Sequence, residues 1–198
     1  MRLLLTRHGE TLENKRYIVQ GWNGGNLSPL GRRQARLLAE RLKSVDIDMI
    51  FTSDLSRATD TARIISKYHK DTSFIESKLL RERNYGALQG KSSKNLDWDR
   101  IDQDLHKVPK MEKLVHLRSR AEKFYKMILK KYPDKTVLVV SHGCILTILL
   151  GVIQGKPLME SVKVTDSKNA SMTEFIIDKK GNYRIIHMHC TKHLDRSG

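Results

Sequence analysis

Long apolar runs are missing from this chain of 198 residues. A membrane-spanning helix needs roughly 18–20 apolar residues in succession. The longest run, Cys144 to Ile153, is already broken by Thr147 and Gly151. The apolar run near the N-terminus, Leu3-Leu4-Leu5, is too short for a signal peptide. A cytoplasmic protein without a membrane partner is therefore expected. Cysteine is scarce, with only Cys144 and Cys190. In a chain without an export signal, reduced thiols are expected rather than a disulfide. Neither cysteine has a partner at metal-ligand spacing, so a zinc site is not expected; no cofactor is expected. Acidic residues are few, 22 against 37 Lys and Arg, for a net charge of +15. The surplus is spread through residues 32–43, 107–131 and 179–192 with acids interleaved. No basic stripe is interleaved with aromatics to stack on bases, so nucleic acid is not an expected partner. The charge suits attraction of a small anionic ligand, or is a solvated surface. Internal repeats, low-complexity segments and linkers are absent as well, so residues 1–198 are expected to form one domain.

What remains is 39% hydrophobic and 30% charged, the composition of a globular protein. Residues 3–6 read as a buried strand and residues 48–52 as a second. Ser28 suits a helix N-cap and Pro29 the first helical position. Ala35, Leu38, Ala39 and Leu42 then repeat at helical spacing. Ser53-Asp54 offers a cap for a second helix that carries Ala58, Ala62, Ile64 and Ile65 and runs to about Tyr68. Residues 73–76 form a weaker strand, and residues 81–91, with Gly86 and Gly90, read as a loop. The polar stretch 94–108 has Asp97, Asp99, Asp102 and Asp104 as a solvated helix face. A long helix is predicted over 114–132, with Leu117, Ala121, Phe124, Ile128 and Leu129 on one side. Residues 136–140, apolar on both faces, are a central parallel strand, followed by an apolar helix to about Val152. Two late runs, 172–177 and 183–188, flank Lys180-Gly181-Asn182 as a hairpin. This alternation predicts an α/β fold, with a mainly parallel sheet covered on both faces by helices as a three-layer sandwich.

Two histidines share one setting. His8 follows the first strand, His142 follows the strand at 136–140, and each precedes a glycine, Gly9 or Gly143. Ligands of open α/β sheets bind at that edge, and glycine admits a close approach of the backbone. Arg7 adjoins His8, and Arg57 follows the strand at 48–52. Guanidinium groups bind phosphate oxygens through paired hydrogen bonds and stay charged. Two arginines and two histidines on one spot have the composition of a phosphate pocket, where a histidine attacks phosphorus and the cations offset charge on the equatorial oxygens. A leaving alkoxide then needs a proton, and Glu82 in the glycine-containing loop is the candidate acid.

These residues continue into longer motifs. Arg7-His8-Gly9-Glu10-Thr11 is followed by Asn14 and by Gln20-Gly21-Trp22, then by Leu27-Ser28-Pro29-Leu30-Gly31 and Gln34-Ala35. Ser53-Asp54-Leu55 with Arg57-Ala58 and Thr61-Ala62 comes next, then Glu82-Arg83 with Tyr85-Gly86 and Gly90, then Ser141-His142-Gly143, and last Asn169-Ala170-Ser171 and His193-Leu194. In this order, over nearly the whole chain, they resemble the histidine phosphatase superfamily, also called the phosphoglycerate mutase-like family. The resemblance implies a phosphohistidine on His8, with Arg7, Arg57 and His142 completing the phosphate pocket. It implies contacts to phosphate or substrate from Asn14, Gln20, Gly21, Tyr85 and Gly143, Glu82 as proton donor, and no metal.

The phosphatase branch is the better match. The extended loop with paired arginines that marks the cofactor-dependent mutases is missing, and Cys144 stands where mutases place asparagine after the second His-Gly. The sequence thus points to a metal-independent phosphomonoesterase of small phosphorylated metabolites, a monomer or homodimer. Two alternatives stay open: a cofactor-dependent phosphoglycerate mutase, and a non-catalytic module that binds an anion or nucleic acid. Arg81, Arg83, Lys91 and Lys94 suggest a substrate with a second anionic group.

Overall fold

The structure is a computed structural model that describes residues 1–103, 107–162 and 167–195. In chain order the elements are β1 (Arg2–Arg7), α1 (Leu12–Lys15), α2 (Pro29–Leu42), β2 (Met49–Thr52), α3 (Ser56–Ser66), β3 (Ser73–Glu76), α4 (Trp98–Gln103), α5 (Leu114–Lys131), β4 (Thr136–Ser141), α6 (Gly143–Ile153), α7 (Leu158–Ser161), β5 (Met172–Ile177) and β6 (Tyr183–Cys190). The six strands make one sheet in the order β3-β2-β4-β1-β5-β6. The first four of these are mutually parallel, and β5 and β6 add an antiparallel hairpin at one edge.

The sheet has two apolar faces, because the middle of each central strand, Leu3–Leu5 in β1 and Val137–Val140 in β4, is an unbroken apolar run. Leu3 and Leu5 of β1 and Val137 and Val139 of β4 meet Phe124 and Ile128 of α5 and Ile145 and Ile148 of α6. Leu4, Leu138 and Val140 point the other way, onto Leu38 and Leu42 of α2 and Ala58, Ala62 and Ile65 of α3. The result is the three-layer α/β sandwich expected from the sequence. No helix among the described residues is long and apolar enough to cross a membrane.

The start signal of α2 acts as expected. Ser28 caps α2 by accepting from the Gly31 amide at 3.0 Å, with Pro29 at the first helical position. The cap proposed for α3 did not form as read. Leu55 is the N-cap and no side chain caps the helix; Asp54 instead receives both donors of Arg81 at 2.6–2.7 Å. The helix stops at Ser66 rather than Tyr68, and β6 runs two residues past the expected Met188. Three short helices, α1, α4 and α7, carry too few turns for a periodic signal. In the polar stretch Asp97 accepts from the Arg100 amide at the start of α4. The side chains of Asp99 and Asp102, and all of Asp104, lie outside the described residues.

Candidate active site

Two neighbouring parallel strands deliver the two histidines. β1 and β4 pair from Arg2↔Thr136 to Arg7↔Ser141. The ladder runs one step further, with the His8 amide donating to the Ser141 carbonyl at 2.9 Å. His8 and His142 therefore leave the sheet side by side, with ring centroids 5.2 Å apart in an edge-on arrangement. Both are buried. The turn after His8 crosses close to the start of α2. A Cβ on Gly9 would sit 2.4 Å from the Gly31 carbonyl oxygen. A Cβ on Gly31 would sit 1.9 Å from that of Glu10. Only a pair of glycines admits this crossing. Thr61 of α3 fixes the same turn, accepting from the Gly9 amide at 3.0 Å and donating to the Arg57 carbonyl at 2.8 Å.

His8 has a defined tautomer. Its Nδ1 lies 2.7 Å from the Gly9 carbonyl oxygen, which can only accept. Nδ1 thus carries the proton, and Nε2 keeps a free lone pair. Burial, then the charges of Arg57 and Arg7, hold the His8 pKa well below the ordinary histidine value. The same three causes, burial first, with His8 and Arg120 adding, depress His142. Both rings are neutral near pH 7. Both nitrogens of His142 are buried without a hydrogen-bond partner.

Arg57 is buried to 1% exposure. Its Nη1 and Nη2 donate to the carbonyls of Asn23 and Gly21 at 2.9 and 2.8 Å, while Nε has no partner. Burial pulls its pKa down to about 10, and the charges of Glu82 and Glu13 resist that shift. It stays a cation near neutrality. Gly21 itself has φ +54 and would place a Cβ against the Gln89 side chain, so the residue expected to meet substrate here shapes the loop that Arg57 grips. Gln20 is buried, with Oε1 lacking a partner. Arg7 donates from Nη1 to the Ser167 carbonyl at 2.7 Å. Asn14 spends its side-chain oxygen on Thr11 and Asn169, and Asn169 also donates to the His8 carbonyl at 3.0 Å. Arg7 and Asn14 share the wall of an open cavity of about 500 Å³ with Tyr17, Ser93 and Lys168.

Glu82 reaches the same place from the opposite side. Its carboxylate accepts from the Arg83 amide at 2.8 Å and from the Cys144 and Ile145 amides in the first turn of α6 at 3.2 Å. Those donors follow His142 and Gly143 directly, so Glu82 lies at the positive end of α6 beside the histidines. Tyr85 is packed next to it. Burial first, then the neighbouring Cys144 and Glu82, raise the Tyr85 pKa well above its usual value. The two cysteines form no disulfide. Among the described residues no group of three or more His, Cys, Asp or Glu side chains is placed to hold a metal ion.

The basic cluster read from the sequence is arranged differently. Arg81 is neutralised by Asp54 and lies over the Trp22 ring at 4.9 Å. Arg83 is buried and donates to the Glu112 carbonyl. Lys94 lies over the Tyr17 ring at 5.1 Å. Sequence reasoning missed Glu112 and Arg120, which hold the Glu82 loop through six hydrogen bonds detailed below. The one available signal was Arg120 flanking the buried stripe of Leu117, Ala121 and Phe124.

Known proteins resemble the chain along most of its length. A family model described as histidine phosphatase superfamily (branch 1) matches residues 3–190. A probable phosphatase of Schizosaccharomyces pombe is 33% identical over 98% of this chain and 96% of its own. A probable phosphoglycerate mutase of Yersinia enterocolitica is 32% identical over 79% of this chain and 76% of its own. Among solved structures, YhfR of Bacillus stearothermophilus has a TM-score of 0.87 at 28% identity, covering 98% of this chain and 99% of that one.

Proposed function

Because the chain belongs to the histidine phosphatase superfamily, we propose that residues 1–198 act as a single domain, a metal-independent phosphomonoesterase that hydrolyses small phosphorylated metabolites through a phosphohistidine on His8. The observation that carries this reading is the fixed tautomer of His8. A neutral imidazole with Nδ1 bound to Gly9 presents Nε2 as the nucleophile. In the first step an Nε2–P bond forms and the ester P–O bond breaks, with Glu82 giving a proton to the leaving oxygen. In the second step water attacks phosphorus, the N–P bond breaks and Glu82 recovers a proton from the water. Arg57 through its unpartnered Nε, together with Arg7 and His142, offsets charge on the equatorial oxygens. The two arginine cations take the part a metal ion would otherwise play, and the neutral His142 ring adds a hydrogen bond. Asn14, Gln20, Gly21, Tyr85 and Gly143 line or shape the binding site. The ligand is a small anionic phosphate ester; the net charge of +15 favours its approach.

The test is phosphate release from a panel of esters, phosphoglycerate included, in the presence of a chelator. Release that vanishes in His8→Ala supports the proposal. Conversion of one phosphoglycerate isomer to the other without release would make the protein a mutase instead.

A further inference from the structure

We propose that Arg120, locked by Glu112, is the positioning residue for Glu82, and that this clamp sets how well the enzyme handles poor leaving groups. The inference rests on the reading of Glu82 as the proton donor. Glu82 sits in an irregular segment, so no strand ladder or helix fixes its backbone. One guanidinium does so from α5. Arg120 Nη1 donates to the carbonyls of Leu79, at 2.9 Å, and Arg81, and Nη2 donates to that of Glu82 at 2.8 Å. Glu112 holds the fork in place through Nε at 2.8 Å and Nη2 at 3.0 Å.

The same Glu112 grips the far side of Glu82. Its carboxylate accepts from the Asn84 amide at 3.1 Å, its carbonyl accepts from Arg83 Nε at 2.9 Å, and its amide donates to the Asn84 carbonyl at 2.8 Å. Residues on both sides of Glu82 are thus tied to one ion pair whose side chains are only 13% and 12% exposed. The Glu82 carbonyl is doubly held, because Trp22 Nε1 also donates to it at 2.7 Å. With both carbonyl lone pairs taken, the side chain pivots from a fixed point towards the α6 amides.

The chemistry needs arginine. Three part-buried carbonyls converge on one guanidinium, and each takes a donor from it. Only a planar fork with five N–H groups serves them and a carboxylate together. Lysine keeps the charge and loses the geometry. A general acid displaced by about 1 Å loses up to roughly 100-fold in rate. In the first step that loss falls on substrates whose leaving oxygen needs the proton, and spares those that leave as stable anions; the second step is common to all esters.

The experiment compares kcat/KM, which reports formation of the phosphoenzyme and not its hydrolysis, for p-nitrophenyl phosphate and for an alkyl phosphate in wild type, Arg120→Lys, Glu112→Gln, Glu82→Gln and the Arg120→Lys/Glu82→Gln double variant. Arg120→Lys is expected to lose about 100-fold on the alkyl ester and no more than about threefold on the aryl ester. Glu112→Gln, which keeps its shape, is expected to follow in the same direction more weakly. The double variant is expected to be no slower on the alkyl ester than Glu82→Gln alone. Equal losses on both esters in Arg120→Lys and Glu112→Gln, or losses that multiply in the double variant, would overturn the positioning role. If Glu82→Gln itself treated both esters alike, the acid reading would fall, and the clamp proposal with it; that single variant separates the two failures.

Discussion

The two halves of the site are built by different means. The half with His8, His142 and Arg57 hangs from regular elements: adjacent parallel strands place the histidines, and Arg57 projects from the first turn of α3. The half with Glu82 hangs from a loop, and its position comes from side chains distant in sequence: Trp22, Glu112 and Arg120. Backbone ladders fix a nucleophile cheaply, because the hydrogen bonds are already required by the sheet. A loop residue has no such support, so each carbonyl near Glu82 must find a dedicated donor. The strand-end half is therefore expected to fail by losing chemistry, and the loop half by losing geometry.

The largest effect should come from the strand-end half. His8→Ala is expected to lower turnover by about 10⁴-fold or more for every ester, whatever its leaving group. A substrate-dependent loss would erase the distinction between the halves. Arg57→Lys should come next. It removes bonds to Asn23 and Gly21 as well as the planar donor at phosphate, and about 10²–10³ in kcat is expected to disappear, again uniformly across esters. Thr61→Val tests whether the histidine turn is fixed by its surroundings. Losing the partner of the buried Gly9 amide should cost about 1–3 kcal/mol in denaturant unfolding, with a fall in kcat that is the same for all esters.

A pH prediction follows from the depressed histidines. An unfolded histidine titrates at about 6.5. The folded pKa values of His8 and His142 lie well below that. The native state thus favours the neutral rings, their contribution to stability is complete above about pH 6.5, and it is lost as pH falls from there towards the folded pKa values. Denaturant midpoints at about pH 7.5 and 5.5 should show a lower value in acid. NMR of the imidazoles should find neither ring titrating near 6.5. The smallest effect belongs to the exposed rim of the loop half. Gln89 links Trp22 and Asn23 through solvent-facing bonds at 2.7 and 3.3 Å. Gln89→Ala should raise KM a few-fold and leave kcat nearly unchanged, on the scale of a single surface hydrogen bond.

The same contrast explains what could be read from the sequence. His8 and His142 were legible because a strand end followed by His-Gly is a local pattern, and two such patterns converge once the strands are adjacent. Ser28-Pro29 announced α2 for equally local reasons. Asp54 misled, since a residue at a helix start can cap or can reach across space, and the Arg81 fork lay in range. Arg81 in turn ceased to be an anchor for substrate charge once Asp54 compensated it. Glu112 carried no signal, and the one signal for Arg120, its place beside an apolar helix stripe, does not single it out. A charged residue on the flank of an amphipathic helix looks like solvated surface until the loop it clamps is placed beside it. The short helix Leu12–Lys15 escaped notice for want of periodicity, although Thr11 and Asn14 form its capping box.

The most direct test of the central claim is to quench the enzyme during turnover of a phosphate ester and locate the phosphoryl group by peptide mass spectrometry. An acid-labile phosphoryl group on the peptide that contains His8, absent in His8→Ala, is the expected result. Turnover with no phosphorylated enzyme at any time point, or with the group on another residue and unaffected by His8→Ala, would contradict it.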